Sequence, residues 1–333
     1  MRIRSFILKR SSHESKGLAC LRFEGYGGGP YPRDIILALK RNWHFFWFSS
    51  WNYRLQEIPY HDLIDLFVTR EDLASEIQAS GRTNCIVVPG GGESFERHDL
   101  LFYPTPQLLD IDLLYIARFI PPKRGDIALQ CLRYLADRIP NCRAVFLESL
   151  ASDPATSKSI RQGRLRLGLE NNLEIKSVRL QEVNLFLNRS RMSLFTSDDE
   201  GLCRAFLQSL LAERPMLCYR NTKSSTRLFY DNRYCHYYEH QTGKCAGEAA
   251  YRLYQQNVLK NPGARDYILK EKGFKFYDLA GWQSHILAAS VPLYENDKQR
   301  LNPNDIVPAD RLTLSWFWRT FELVGYQKRE GSP

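Results

Sequence analysis

From about residue 110 onward, short apolar runs alternate with longer helical ones, and no other feature of the sequence restricts the fold as much. LLYIARF (113–119) reads as a buried strand. DIALQCLRYLADRI (126–139) puts Ile127, Cys131, Tyr134, Leu135 and Arg138 at helical spacing and is closed by Pro140. RAVFLES (143–149), LEIKSVRL (173–180), MSLF (192–195) and PMLCY (215–219) read as four further strands. Helices are expected between them at 157–169, at 181–189 and directly after TSDDEG (196–201). Strands alternating with helices of this length predict βαβ units and a parallel, doubly wound sheet.

In such a sheet, ligands sit off the carboxyl ends of the strands, beside the N-termini of the helices that follow. Two loops at that edge carry chemistry. In ARFIPPKRG (117–125), Arg118 leaves a strand and Lys123 follows around a Pro-Pro corner. Two converging cations suit a dianion such as a diphosphate, and two solvated loop cations are the plainer alternative. In TSDDEG, Glu200 and Gly201 stand before a helix whose free N–H groups face the same edge. An acidic N-cap, Asp198 or Asp199, is the plainer alternative there.

Upstream, LIDLFVTREDLASEI (63–77) predicts a strand, a cap and a helix. TNCIVVPGGGESF (83–95) predicts a strand ending in a glycine turn, and EGYGGGPYPRDIILALKRN (24–42) a glycine loop leading into a helix. ADRLTLSWFWRTFELV (309–324) predicts a packed terminal helix, apolar nearly all round.

Taken together, these residues resemble the retaining, GT-B fold glycosyltransferases of the glycosyl transferases group 1 superfamily. The spacing of Arg118 and Lys123 is that of the family's G-R-x-x-x-x-K-G strand-loop pattern. Ser197, Glu200, Gly201, Gln208, Ser209, Glu213, Pro215 and Met216 follow its Ser…E-G-x-x-x-x-x-x-E-A-x-x-x-G-x-P-V run. VVPGGGESF (87–95) and QTGKCAGEAAYRLY (241–254) look like two further family segments. The resemblance spans roughly residues 63–258. Two departures stand out: Gln208 replaces a carboxylate, and Glu213 replaces a glycine.

The resemblance implies an α/β, GT-B-like fold with two Rossmann-like domains facing a cleft. The expected division is 1–108 for a shortened acceptor-side domain, 109–290 for the nucleotide-sugar domain and 291–333 for a helical tail. It implies an enzyme moving a sugar from a nucleotide-sugar donor to an acceptor with retention and without metal. Arg118 and Lys123 would bind the donor diphosphate, and Glu200 the hydroxyls of the donor sugar. Gly201 and Leu202 would offer backbone amides. Ser197 belongs to the same donor-binding set, and the position of Gln208 would hold the ribose. His44 and His61 are candidates for the acceptor-side histidine. No resident cofactor is expected, and the acceptor would be a sugar, a lipid-linked sugar or a protein.

The net charge of +9 suits an anionic partner, and eight scattered cysteines without a CxxC pair fit a reducing compartment. The FIL run near the start and the aromatic WHFFWFSSW (43–51) are too short for a signal-peptide core or a membrane span. A cytoplasmic protein, in peripheral contact with a membrane at most, is expected. The rival readings are a noncatalytic GT-B-like binding protein and a nucleic-acid binder using the 161–166 arginines and aromatics near Trp43. A third is a zinc site at Cys235, His236, His240 and Cys245.

Overall fold

The computed structural model describes residues 5–12, 14–21, 33–48, 54–58, 60–69, 71–82, 85–87, 97–149, 152–199, 202–274, 279–301 and 303–307. The glycine segment 24–32, most of 87–95 and the expected helix at 309–324 lie outside them. The chain divides into one unit of residues 1–96 with 276–333, and a second of 97–275.

The first unit opens with β1 (Ser5–Lys9) antiparallel to β2 (Gly17–Leu21). Helix α1 (Arg33–Leu39), β3 (Trp43–Phe48), β4 (Leu66–Thr69), α2 (Glu71–Ala79) and β5 (Cys85–Val87) follow, and β2 to β5 run parallel in chain order. The aromatic run WHFFWF is thus an interior strand. Trp43, Phe45 and Trp47 pack with Ile36 and Leu39 of α1 and with Leu73 and Ile77 of α2, while Phe46 faces the other way. A strand covered on both faces loses the polar alternation that marks a half-exposed one. With Trp43 and Trp47 buried, neither offers a stacking surface to a nucleic acid.

The second unit begins with the short helix α3 (His98–Leu101). It continues β6 (Ile111–Ala117), α4 (Gly125–Ala136), β7 (Ala144–Glu148), α5 (Pro154–Arg166), β8 (Leu173–Lys176) and α6 (Leu180–Arg189). Then come β9 (Ser190–Phe195), α7 (Arg204–Leu211), β10 (Met216–Tyr219), β11 (Cys235–Tyr238), α8 (Gly243–Gln255) and α9 (Ala264–Asp266), which runs into a π-helical turn, Tyr267–Glu271. The six strands are all parallel, in the order β11-β10-β9-β6-β7-β8.

The expected α/β class and parallel sheet are present in both units. Helix α5 starts earlier than its basic pattern suggested, because Asp153 caps it by accepting from the Thr156 amide and Pro154 occupies the first turn. Two of its arginines are engaged: Arg161 lies 2.6 Å from Glu148, and Arg164 donates to the Glu170 carbonyl. Strand β11 was not expected. Its Cys235 is buried against β10 rather than turned to a metal, and no group of three metal-capable side chains occurs among the described residues.

After residue 275 the chain returns to the first unit through helix α10 (Leu279–Asn296). Trp282, Ile286, Leu287 and Leu293 cover Leu8, Leu18, Cys20, Phe46, Leu66 and Val68 of the first sheet. The expected boundaries at 108/109 and 290/291 both lie later in the chain than these unit limits. No helix among the described residues is long and apolar enough to cross a membrane.

Candidate functional site

The strand order of the second unit reverses at β6. Its neighbour β7 follows in sequence on one side, while β9 lies on the other with Tyr115 opposite Leu194. The connections leaving β6 and β9 therefore diverge to opposite faces of the sheet and leave a crevice at their carboxyl ends. A small cavity at this edge is bordered by Ala117, Lys123, Thr196 and Ser197 and floored by core side chains such as Phe206 and Met216.

Both loops are fixed by backbone contacts. Pro121–Lys123 forms a 3₁₀ turn, and Arg124, in left-handed conformation at φ 51°, starts α4. Tyr115 and Thr196 donate their hydroxyls to the Lys123 carbonyl at 2.7 and 2.6 Å. The Asp198 amide donates to the Pro122 carbonyl at 3.0 Å. Two more loops join at the same edge. Thr222, after β10, donates to the Ser197 carbonyl at 2.9 Å, and Gln241, after β11, donates to the Thr196 carbonyl at 3.1 Å. Four strand ends thus hold one constellation.

Within it, Arg124 is a structural cation. It bonds Asp126 at 3.0 Å and reaches Asp198 at 3.4 Å, and those carboxylates raise its pKa. Asp198 therefore links two loops instead of capping a helix, and α7 follows Cys203, which gives it no side-chain cap. Sequence reasoning missed Arg124, Thr222 and Gln241, whose roles depend on partners brought together only by the sheet.

Arg118 follows β6, half-buried, with no hydrogen bond or ion pair to a described residue. Lys123 is half-buried and borders the crevice. Ser197 is buried and Leu202 half-buried. Glu200 and Gly201 lie outside the described residues. Gln208, on α7, is 4% exposed, and its Nε2 stands 3.5 Å from Nδ1 of His98.

The two acceptor-side candidates belong to the first unit. His61 sits half-buried in a 3₁₀ turn, His61–Leu63. His44 is buried near the amino end of β3, away from the strand ends where ligands sit in such sheets. Its Nε2 is 3.3 Å from Asp297 and its Nδ1 3.9 Å from Asp65, carboxylates already held by Lys16 and Lys40. Burial lowers its pKa below the usual 6.5, and the nearby carboxylates only partly oppose this. The unfolded chain then binds the proton more readily than the folded one. Stability from this site is complete above about pH 6.5 and falls as pH drops through the lowered folded value. His44→Gln should flatten the loss of Tm between pH 7 and pH 5. An unchanged slope would mean that His44 does not drive it.

No family model and no curated protein matches the chain. Solved structures do. Pneumococcal O-GlcNAc transferase GtfA, in complex with UDP and GlcNAc, matches at a TM-score of 0.60 and 14% identity, over 78% of this chain and 55% of that one. A point mutant of S. aureus TarM, in complex with fondaparinux, alpha-GlcNAc-glycerol and UDP, matches at 0.56 and 13%, over 76% and 51%. Anabaena HepE, in complex with UDP and glucose, matches at 0.57 and 13%, over 77% and 75%. The chain spans about half the length of the first two. At such identities the likeness shows the fold alone, and the fold of this chain is the mixed α/β, parallel-sheet fold of GT-B glycosyltransferases.

Proposed function

We propose that the protein transfers a sugar from a nucleoside-diphosphate sugar to an acceptor hydroxyl, with retention of configuration and without a metal ion. The observation that carries this reading is the switch-point crevice, where the loop of Arg118 and Lys123 is bonded to the turn that leads to Glu200. UDP in the GtfA, TarM and HepE complexes supports a nucleotide donor. As the glycosidic bond breaks, negative charge grows on the departing diphosphate. Cations fixed beside it stabilise that charge more in the transition state than in the ground state, which is the condition for catalysis. Arg118 and Lys123 take this role, one that a divalent ion would otherwise fill. Glu200 holds hydroxyls of the donor sugar, the amides at Gly201 and Leu202 approach sugar and phosphate beside Ser197, and Gln208 accepts from the ribose. The acceptor is a sugar, a lipid-linked sugar or a protein, met in the cytoplasm or at a membrane surface.

A thermal-shift panel of nucleoside diphosphates and nucleotide sugars, followed by a donor-consumption assay in excess EDTA, tests this. A true donor at a hundred times its Kd adds about 2.7 kcal/mol of stability, a clear upward shift. Donor consumption should persist in chelator. Activity lost to EDTA and restored by magnesium or manganese would overturn the metal-free assignment. Silence across the whole panel would end the nucleotide reading. One observation favours a nonenzymatic binder instead: the Gln208 amide is buried and turned to a histidine. Nucleotide stabilisation without donor consumption would select that alternative.

A further inference from the structure

The glutamine that replaces a carboxylate has a partner that accounts for it. His98 is 1% exposed, and its ring meets that of Phe102 at 5.3 Å. The backbone around it is clamped, since Arg265 donates to the carbonyls of Asp99 and Phe102 and the Arg97 guanidinium bonds Asp99. From this fixed position Nδ1 stands 3.5 Å from the Gln208 amide nitrogen. A ring nitrogen that receives an N–H carries no proton of its own, so the imidazole proton resides on Nε2.

We infer that His98 is a positioning residue for the donor site: by accepting an N–H of Gln208, it leaves the amide oxygen as the acceptor offered to the nucleotide ribose. This rests on the assignment of Gln208 to the ribose. The chemistry also says why glutamine serves here. An amide presents a donor to the lone pair of a neutral imidazole and an acceptor elsewhere. A glutamate would set a carboxylate against that lone pair and would require a second proton on the ring or the other tautomer.

The test uses whichever of UDP, ADP, GDP, CDP or dTDP stabilises the full chain most, with Kd measured by calorimetry. His98→Leu should weaken binding a few-fold to about tenfold, the value of one neutral hydrogen bond, and leave kcat unchanged. His98→Asn, whose side-chain oxygen can accept the same N–H, should recover most of the loss. In a Gln208→Ala background, His98→Leu should add nothing, because its effect runs through Gln208. Nitrogen-15 spectra of the unliganded parent should show His98 protonated on Nε2 and bare on Nδ1, a measurement that needs no variant to fold. A bare Nε2 with a protonated Nδ1 would overturn the inference. So would failure of His98→Asn to rescue, or losses that simply add. If Gln208→Ala weakens binding and His98→Leu does not, the ribose assignment stands and this inference alone falls. If Gln208→Ala is silent, or no nucleotide binds, the ribose assignment falls and takes the inference with it.

Discussion

On the proposed mechanism, Lys123→Ala should lower kcat by a factor on the order of a hundred or more while changing donor KM far less. The expected size follows from where the charge acts. Removing one preorganised donor or cation from a developing anion costs about 2.7–4 kcal/mol in comparable sites. The variant is also a clean one. The Lys123 backbone carbonyl, bonded by Tyr115 and Thr196, anchors the loop, and the substitution leaves that carbonyl in place. The fold should therefore survive. Arg118→Ala should behave alike. Arg124→Ala, by contrast, should lower Tm through loss of its bonds to Asp126 and Asp198. A Lys123→Ala enzyme with undiminished kcat would remove the leaving-group role and with it the argument for a metal-free mechanism.

Gly247→Val destabilises the second unit by about 3 kcal/mol or more, lowering its Tm by roughly 6–12 °C. Helix α8 lies against α4 through Gly243 and Gly247, one turn apart. A Cβ on Gly247 would stand 2.5 Å from Cβ of Tyr134, and one on Gly243 would overlap Gln130. Valine places three heavy atoms where there is room for none, and the neighbour on α4 is close to its own backbone and cannot swing aside. Alanine at the same position should cost less, since its better helix propensity returns about 1 kcal/mol. The damage should also reach the crevice, because α4 begins at Arg124, directly after Lys123. Glu248→Ala, one residue along on a partly exposed face, is the control. A Gly247→Val melting curve matching the parent would refute the close helix contact.

The two glycines also illustrate what a sequence conceals. In QTGKCAGEAAYRLY they are visible, but their reason, the side chains of Gln130 and Tyr134, lies more than a hundred residues earlier. The strands from residue 111 to 219 were legible because burial on both faces leaves unbroken apolar runs. The same burial disguised β3, whose six residues include five aromatics. Strand β1 was hidden by Lys9, fully buried yet held by the Lys16 carbonyl and by Asp305 from the far end of the chain. At the candidate site, Arg118, Lys123 and Ser197 could be placed because strand ends are easy to find. Arg124 looked like one more loop cation, and nothing adjacent to Gln208 in sequence pointed to His98.

The return of α10 to the first sheet has a consequence for synthesis. The second unit is one continuous stretch and can close its core as soon as it leaves the ribosome. The first cannot, because Trp282, Ile286 and Leu293 are still untranslated when Phe46 and Val68 emerge. At about 5–20 residues per second, that sheet face waits on the order of ten seconds or more for its cover. Leu8 and Lys9 wait longer still for part of their backbone pairing, since Val307 donates to the Leu8 carbonyl and Ile306 bridges Lys9. During that interval an apolar sheet face stands open, and nascent chains carrying it are natural clients for a holdase chaperone. A chain cut short before α10 would carry that exposed face permanently, and its defect would be aggregation of the amino-terminal sheet, with the second unit intact.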